Sequence, residues 1–241
     1  MNTCFGVSDT GCVRANNEDY YLLAPEMGLY VLADGMGGAR AGERASQLAV
    51  ETLASVVRSA GRRDPEVLLE AMQEANRQVL SLAKTDRSLE GMGTTLVAAL
   101  DQGDQIHVAS VGDSRAYMLA DGAFTVVTQD QSWVNEVGRI LMGMTEEALK
   151  THPLRHVLTM AIGTGVRLVV NRYARPWKDG SILLLSSDGL HGVVQPGDIE
   201  EILRRRQGNE SLEEKCHGLI EAAREAGAPD NVTAVLLKKA G

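Results

Sequence analysis

Residues 94–127 read TTLVAALDQGDQIHVASVGDSRAYMLADGAFTVV. Four β-prone runs, 94–100, 105–111, 115–119 and 124–127, are parted by the turn signals Asp101-Gln102-Gly103-Asp104, Gly112-Asp113-Ser114 and Asp121-Gly122. Asp accepts backbone hydrogen bonds in a turn and Gly takes positive φ, so the stretch predicts an antiparallel meander. Upstream, 41–59 places Ala45, Leu48, Ala49, Thr52, Leu53 and Val56 on one side of a helix, and 65–83 does the same with Leu68, Leu69, Met72, Ala75, Val79 and Leu82. Asp64 before Pro65 predicts an N-cap with proline in the first helical position. Before these helices, 3–8, 20–24 and 29–33 read as strands.

Downstream, 128–165 is less regular, with short helices predicted near 133–138 and, capped by Thr145, near 146–150. Strands are predicted at 166–173 and 181–186, helices at 197–206 and 212–226, and a last strand at 232–238. Strands and helices come in blocks rather than alternating singly, which argues α+β over a doubly wound parallel sheet. Two stacked antiparallel sheets with a helix pair outside each would bury every apolar face. There is no internal repeat or Pro/Gly/Ser-rich linker, so residues 1–241 are expected to form one domain.

Composition is that of an ordinary globular protein, with 44% hydrophobic and 23% charged residues. With aromatics at 4%, the core must rely on Leu, Val, Ile, Ala and Met. The net charge of -8 offers no basic footprint for nucleic acid, and Arg204-Arg205-Arg206 reads as the solvated end of a helix. Cys4, Cys12 and Cys216 are an odd set without paired spacing, expected to be small buried or partly buried thiols rather than a disulfide framework. No CxxC or HExxH pair points to zinc. The N-terminus lacks a signal pattern, and the apolar run Ile182 to Leu185 is too short to span a bilayer. A soluble, cytoplasmic chain with no membrane partner is expected, with a monomer as the default.

The chemistry is suggested by where the acids fall. Asp34 and Asp188 each follow an apolar run and precede glycine; Asp113 and Asp230 sit at strand ends; Glu18 and Asp19 precede the second strand. One Asp-Gly after a strand is an ordinary turn. Six acids at strand ends, if the sheets bring those ends together, would repel one another unless cations lie between them. Hard divalent ions, Mg²⁺ or Mn²⁺, take such oxygen ligands, and Gly35 would let one approach the backbone carbonyl. Two such ions can activate a water and neutralise a transferring phosphoryl group. Arg14, four residues before Glu18, is either a bidentate phosphate anchor or a surface loop arginine.

These residues resemble the PPM, or PP2C-type, family of protein phosphatases in its compact bacterial form. The resemblance runs in order through Ser8-Asp9-Thr10-Gly11 with Arg14, Asn16-Asn17-Glu18-Asp19, Val31-Leu32-Ala33-Asp34-Gly35-Met36-Gly37-Gly38, Gly91-Met92-Gly93-Thr94-Thr95, Val111-Gly112-Asp113-Ser114-Arg115, Asp130-Gln131-Ser132, Ser187-Asp188-Gly189 and Asp230-Asn231-Val232-Thr233. It implies an αββα sandwich and a metal-dependent phosphatase acting on phosphoserine and phosphothreonine, opposing a bacterial Ser/Thr kinase. In that family pattern Asp34 bridges two Mn²⁺ or Mg²⁺ ions, the Gly35 carbonyl binds one, and Asp188 and Asp230 complete the coordination of the first ion. Glu18 and Asp19 act in that shell or through waters, Asp113 holds a third ion, Arg14 binds the substrate phosphate, and about 131–164 forms a mobile flap that tunes substrate choice.

The sequence departs from the pattern at three places. Met36 stands where eukaryotic members carry a histidine, so the proton for the leaving alcohol must come from water or another group. Gln131 replaces a histidine and Met160 an arginine found in many bacterial relatives, both in or near the flap. Two rival readings remain: a serine esterase built on Gly112-Asp113-Ser114 and Asp188-Gly189-Leu190-His191, with Ser114 as nucleophile, His191 as base and Asp188 as orienter, and a catalytically silent phosphoprotein-binding member.

Overall fold

The computed structural model describes residues 3–37, 41–205 and 211–240. Two antiparallel sheets face each other. One runs in the order β1 (Thr3–Asp9), β11 (Val232–Lys238), β10 (Ile182–Ser186), β7 (Arg115–Ala120), β8 (Ala123–Val126). The other runs β2 (Asp19–Ala24), β3 (Leu29–Met36), β5 (Leu96–Asp101), β6 (Gln105–Val111), β9 (Asn171–Pro176), with β4 (Gly93–Thr94) paired to the end of β3.

Alternation along the strands builds three apolar layers. Leu29, Val31 and Ala33 of β3 pack against α1 (Ala41–Ala60) and α2 (Pro65–Thr85), while Tyr30 and Leu32 face the opposite sheet. In β11, Ala234 and Leu236 pack against α5 (Pro196–Arg204) and α6 (Leu212–Glu225), while Val235 and Leu237 point between the sheets. The result is the expected α+β, αββα sandwich. Strands covered on both faces explain why they read as continuous apolar runs. The predicted cap holds: the Asp64 side chain accepts the Val67 N–H at 3.1 Å, with Pro65 opening α2.

The single meander does not hold. β5 pairs with β6 and β7 with β8, but β6 pairs on with β9 and β7 with β10. At Gly112-Asp113-Ser114 the chain leaves one sheet and enters the other. That turn is pinned inside the molecule: Gly112 exchanges backbone and side-chain hydrogen bonds with Gln131 at 2.9 Å, and the hydroxyls of Ser114 and Thr95 lie 2.7 Å apart. A turn signal reports that the chain bends, not which strand the next one pairs with.

Other boundaries move for similar reasons. β3 runs on to Met36 because β4 supplies a partner. The run 94–100 is split at Thr95, whose N–H and hydroxyl bond the backbone of Asp34. The strand predicted over 166–173 starts only at Asn171, where β6 first offers a partner at Ser110; Val166 and Val169 are exposed. The helix predicted near 133–138 is a π-helical segment, Val134–Leu141, and α3 (Glu146–Thr151) is capped by Thr145 as expected. Arg204 and Arg205 pair with Glu200 and Glu201 one turn earlier, while Arg206 and Gly38 lie outside the described residues. Cys216 is buried and Cys4 partly so, but Cys12 is exposed on a loop, contrary to expectation. Among the described residues no helix is long and apolar enough to cross a membrane.

Candidate active site

Asp34 and Asp19 face each other across β2 and β3 as register partners. Gly35 follows in a channel too narrow for a side chain: a Cβ there would lie 2.2 Å from the Gly42 carbonyl oxygen and 2.6 Å from that of Glu18. That close approach lets the Gly35 N–H donate to the Glu18 carbonyl at 3.1 Å. Asp188 opens the short helix α4 (Asp188–His191) directly after β10, and Asp230 stands two residues before β11. Asp113 lies in the crossing between the sheets.

The structure brings these acids into one electrostatic field. Burial pushes the Asp34 carboxyl well above the usual range, and Asp19, Asp188, Asp113 and Asp230 raise it further. Burial lifts Asp19 to about 7 against the hydrogen bonds that Thr233 and Ser187 donate to it. Asp113 is lifted to about 7 by burial, then by the charges of Asp188 and Asp130. Asp188 is raised by burial and by Asp230, while the nearby Asp34 carboxyl and the charges of His156 and Arg14 act the other way. Glu18 is raised by burial, with Arg14 opposing.

Carboxyls so placed cannot all ionise at neutral pH without a compensating positive charge. A divalent ion fits that need. The donors are oxygens, as hard cations prefer, and Asp19 presents one buried oxygen, Oδ1, without a hydrogen-bond partner. Among the described residues no three acidic, histidine or cysteine side chains close a coordination shell by themselves. Backbone carbonyls and waters would supply the rest, as they ordinarily do for Mg²⁺.

Arg14 does lie at this site, yet its guanidinium Nη2 donates to Asp230 Oδ2 at 2.7 Å while 54% of the side chain stays exposed. The region 131–164, expected as a flap, is fastened at Ser132↔Leu158 and Thr94↔Ile162 and holds Trp133 stacked on His152 at 4.4 Å. Gln131, expected to bear on substrate choice, is buried and structural: it bonds Gly112 and donates to the Val169 carbonyl at 2.9 Å. Met160 packs against the core beneath α1 and α2.

The esterase reading finds no support in geometry. Ser114 is 2% exposed and its hydroxyl partner is Thr95 at 2.7 Å. His191 is paired with Ser186 at 3.0 Å, and burial pushes its pKa well below the usual value. Nucleophile and base are committed elsewhere.

Sequence reasoning missed the groups that hold the acids. The hydroxyls of Ser187 and Thr233 donate to Asp19 Oδ2 at 2.7 and 2.6 Å, and the Thr233 hydroxyl also meets Ser8 at 2.7 Å. The Asn231 amide bonds Glu18, Thr10 and Asn16. Ser187, Asn231 and Thr233 stood in the motifs quoted above, next to or near Asp188 and Asp230, but nothing local gave them a role.

Comparisons with known proteins identify relatives of this chain. The family model described as Protein phosphatase 2C matches residues 13–236. The Serine/threonine phosphatase stp of Listeria innocua is 35% identical over 240 residues, spanning 96% of this chain and 94% of that protein. The crystal structure of the Mycobacterium tuberculosis serine/threonine phosphatase PstP/Ppp superposes with a TM-score of 0.89 at 36% identity, covering 100% of this chain and 99% of that one. The catalytic domain of PstP in complex with two manganese ions superposes with a TM-score of 0.87 at 34% identity, covering 100% and 99%.

Proposed function

The chain belongs to the protein phosphatase 2C family, and on that premise we propose how its residues divide the hydrolysis of phosphoserine and phosphothreonine monoesters. The enzyme is a metal-dependent serine/threonine protein phosphatase that uses Mn²⁺ or Mg²⁺ and acts on phosphorylated proteins. Asp34, Asp188 and Asp230 with the Gly35 carbonyl would hold a pair of ions, Glu18 and Asp19 would act beside them directly or through water, and Asp113 would hold a third. The ions, when bound, supply an activated water and neutralise charge on the phosphoryl group.

The protein's own groups do the rest. Arg14 carries a fixed positive charge on a half-exposed side chain at the rim and forks the substrate phosphate. Thr233 and Ser187 tie down one oxygen of Asp19 and leave Oδ1 as its free donor. Met36 has no proton to give, so the leaving alcohol takes its proton from water or another group. Residues 1–241 act as one catalytic domain with 131–164 as the flap, in a cytoplasmic monomer that opposes a Ser/Thr kinase and shares its substrates.

The observation that carries this reading is the convergence on Asp34 of four other carboxylates from separate parts of the chain. Phosphate release from a phosphothreonine peptide should vanish in EDTA and return with excess Mn²⁺ or Mg²⁺. Release that EDTA leaves untouched would remove the metal assignment, and no release under any metal would favour the silent member.

A further inference from the structure

Arg14 sits on a surface loop. Residues 12–16 are all exposed; Arg14 itself is tied to Asp230 at 2.7 Å, and further contacts fix the loop at its base. There Gly11, at φ +78, presses on the Asp230 carbonyl, where a Cβ would come within 2.1 Å, and the Cys12 N–H donates to the Ala228 carbonyl at 2.9 Å.

One side chain closes the base from both ends. Asn231 is 5% exposed. Its Oδ1 accepts the Glu18 N–H at 2.8 Å, and its Nδ2 donates to the carbonyls of Thr10 and Asn16 at 2.9 Å each. Two donors and one acceptor at those places require an amide. An aspartate of the same shape would keep the bond from Glu18 and turn a charge on two carbonyl oxygens. The backbone of Asn231 works separately: its N–H donates to Asp230 Oδ1 at 2.9 Å, and its carbonyl lies against Gly189, beside Asp188. A side-chain change therefore loosens the base of the Arg14 loop while leaving the Asn231 backbone contacts to Asp230 and Gly189 in place.

We propose that Asn231 is a positioning residue for substrate binding, its side-chain amide setting where the Arg14 guanidinium meets the substrate phosphate. The proposal rests on Arg14 as the phosphate anchor. Binding held by a charged fork is sensitive to displacements of an ångström, so the effect should fall on KM.

The test is a double-mutant cycle on a phosphothreonine peptide at saturating Mn²⁺, using Arg14→Ala, Asn231→Asp and the double variant, with calorimetric Mn²⁺ titration and thermal melting of each. Arg14→Ala should raise KM by tenfold or more and Asn231→Asp by roughly tenfold, with kcat changed less than about threefold and Mn²⁺ affinity within about threefold of the wild type. In the Arg14→Ala background, Asn231→Asp should add nothing further to KM. Independent, additive effects would overturn the proposal, as would an unchanged KM or a loss confined to kcat or to Mn²⁺ affinity with Asn231→Asp. An unchanged KM in Arg14→Ala alone would instead remove the anchor and the proposal with it. Should Asn231→Asp fail to fold, Asn231→Ser enters the same cycle with the same expected outcomes.

Discussion

Two turns in the central strand run use the same residues to opposite ends. At Asp121-Gly122 both residues take positive φ, 49° and 78°, and close a tight hairpin between β7 and β8. Asp121 is 69% exposed and pairs with Lys178 at 2.7 Å, and a Cβ on Gly122 would meet nothing. At Gly112-Asp113, Gly112 also has positive φ, 96°, but a Cβ there would lie 2.8 Å from the Thr95 side chain. Asp113 stands among Asp188, Asp130 and the other acids, its pKa lifted to about 7. One turn is a solvated reversal; the other carries the chain between sheets and delivers a carboxylate to the cluster of acids around Asp34. The aspartate's chemistry is the same in both, and the dielectric and the neighbours decide what it does.

The largest test of that contrast is charge removal. Asp34→Asn or Asp188→Asn should lower kcat/KM by roughly a thousandfold or more, because each deletes a charge needed to hold the ions. Asp121→Asn should leave kcat/KM within about twofold. Near-normal turnover in either Asp34→Asn or Asp188→Asn would end the ligand assignment.

Next comes the metal-free protein against pH. Asp19 and Asp113 hold their protons to about 7 when folded but release them near the ordinary aspartate value of 3.8 when unfolded. Between those values these two carboxyls bind more protons in the folded state, so the stability they contribute is full below about pH 4 and is lost as pH rises to about 7, while neutral, buried His191 contributes a smaller slope of the opposite sign. Thermal melting in EDTA should show Tm dropping by roughly 5–10 °C across this window. Saturating Mn²⁺ should abolish the drop. A Tm whose pH slope is the same with and without Mn²⁺ would show that the acids are not buried together.

The smallest effect concerns the glycines. Gly112→Ala combines positive φ with a clash and should cost about 2–3 kcal/mol, whereas Gly122→Ala meets open space and should cost about 1 kcal/mol. Urea melts of the two variants measure the difference. Equal losses would mean that the crossing turn is no tighter than the hairpin.

Much of this fold was legible because local rules act within a few residues. The 3.6-residue rhythm marked α1 and α2, and the Asp64-Pro65 cap and the β11 run stood where the structure has them. The acids too were visible, as strand-end carboxylates next to glycine. The break in the meander was not, because pairing of β6 with β9 joins residues more than sixty positions apart. Nor was Asn231, whose partners Thr10, Asn16 and Glu18 lie over two hundred positions upstream. The same distance hid the bond between Arg14 and Asp230.

By itself, then, the sequence determined most of the helix and strand segments, which faces are apolar, and where carboxylates fall at strand ends. Backbone propensity, side-chain periodicity and donor chemistry are properties of residues and their near neighbours. Tertiary structure alone decided which strand ends meet, which of two like turns is dry, and which amide and hydroxyls hold the acids. Those outcomes depend on burial and on contacts between distant segments, and they exist only once the two sheets close on each other.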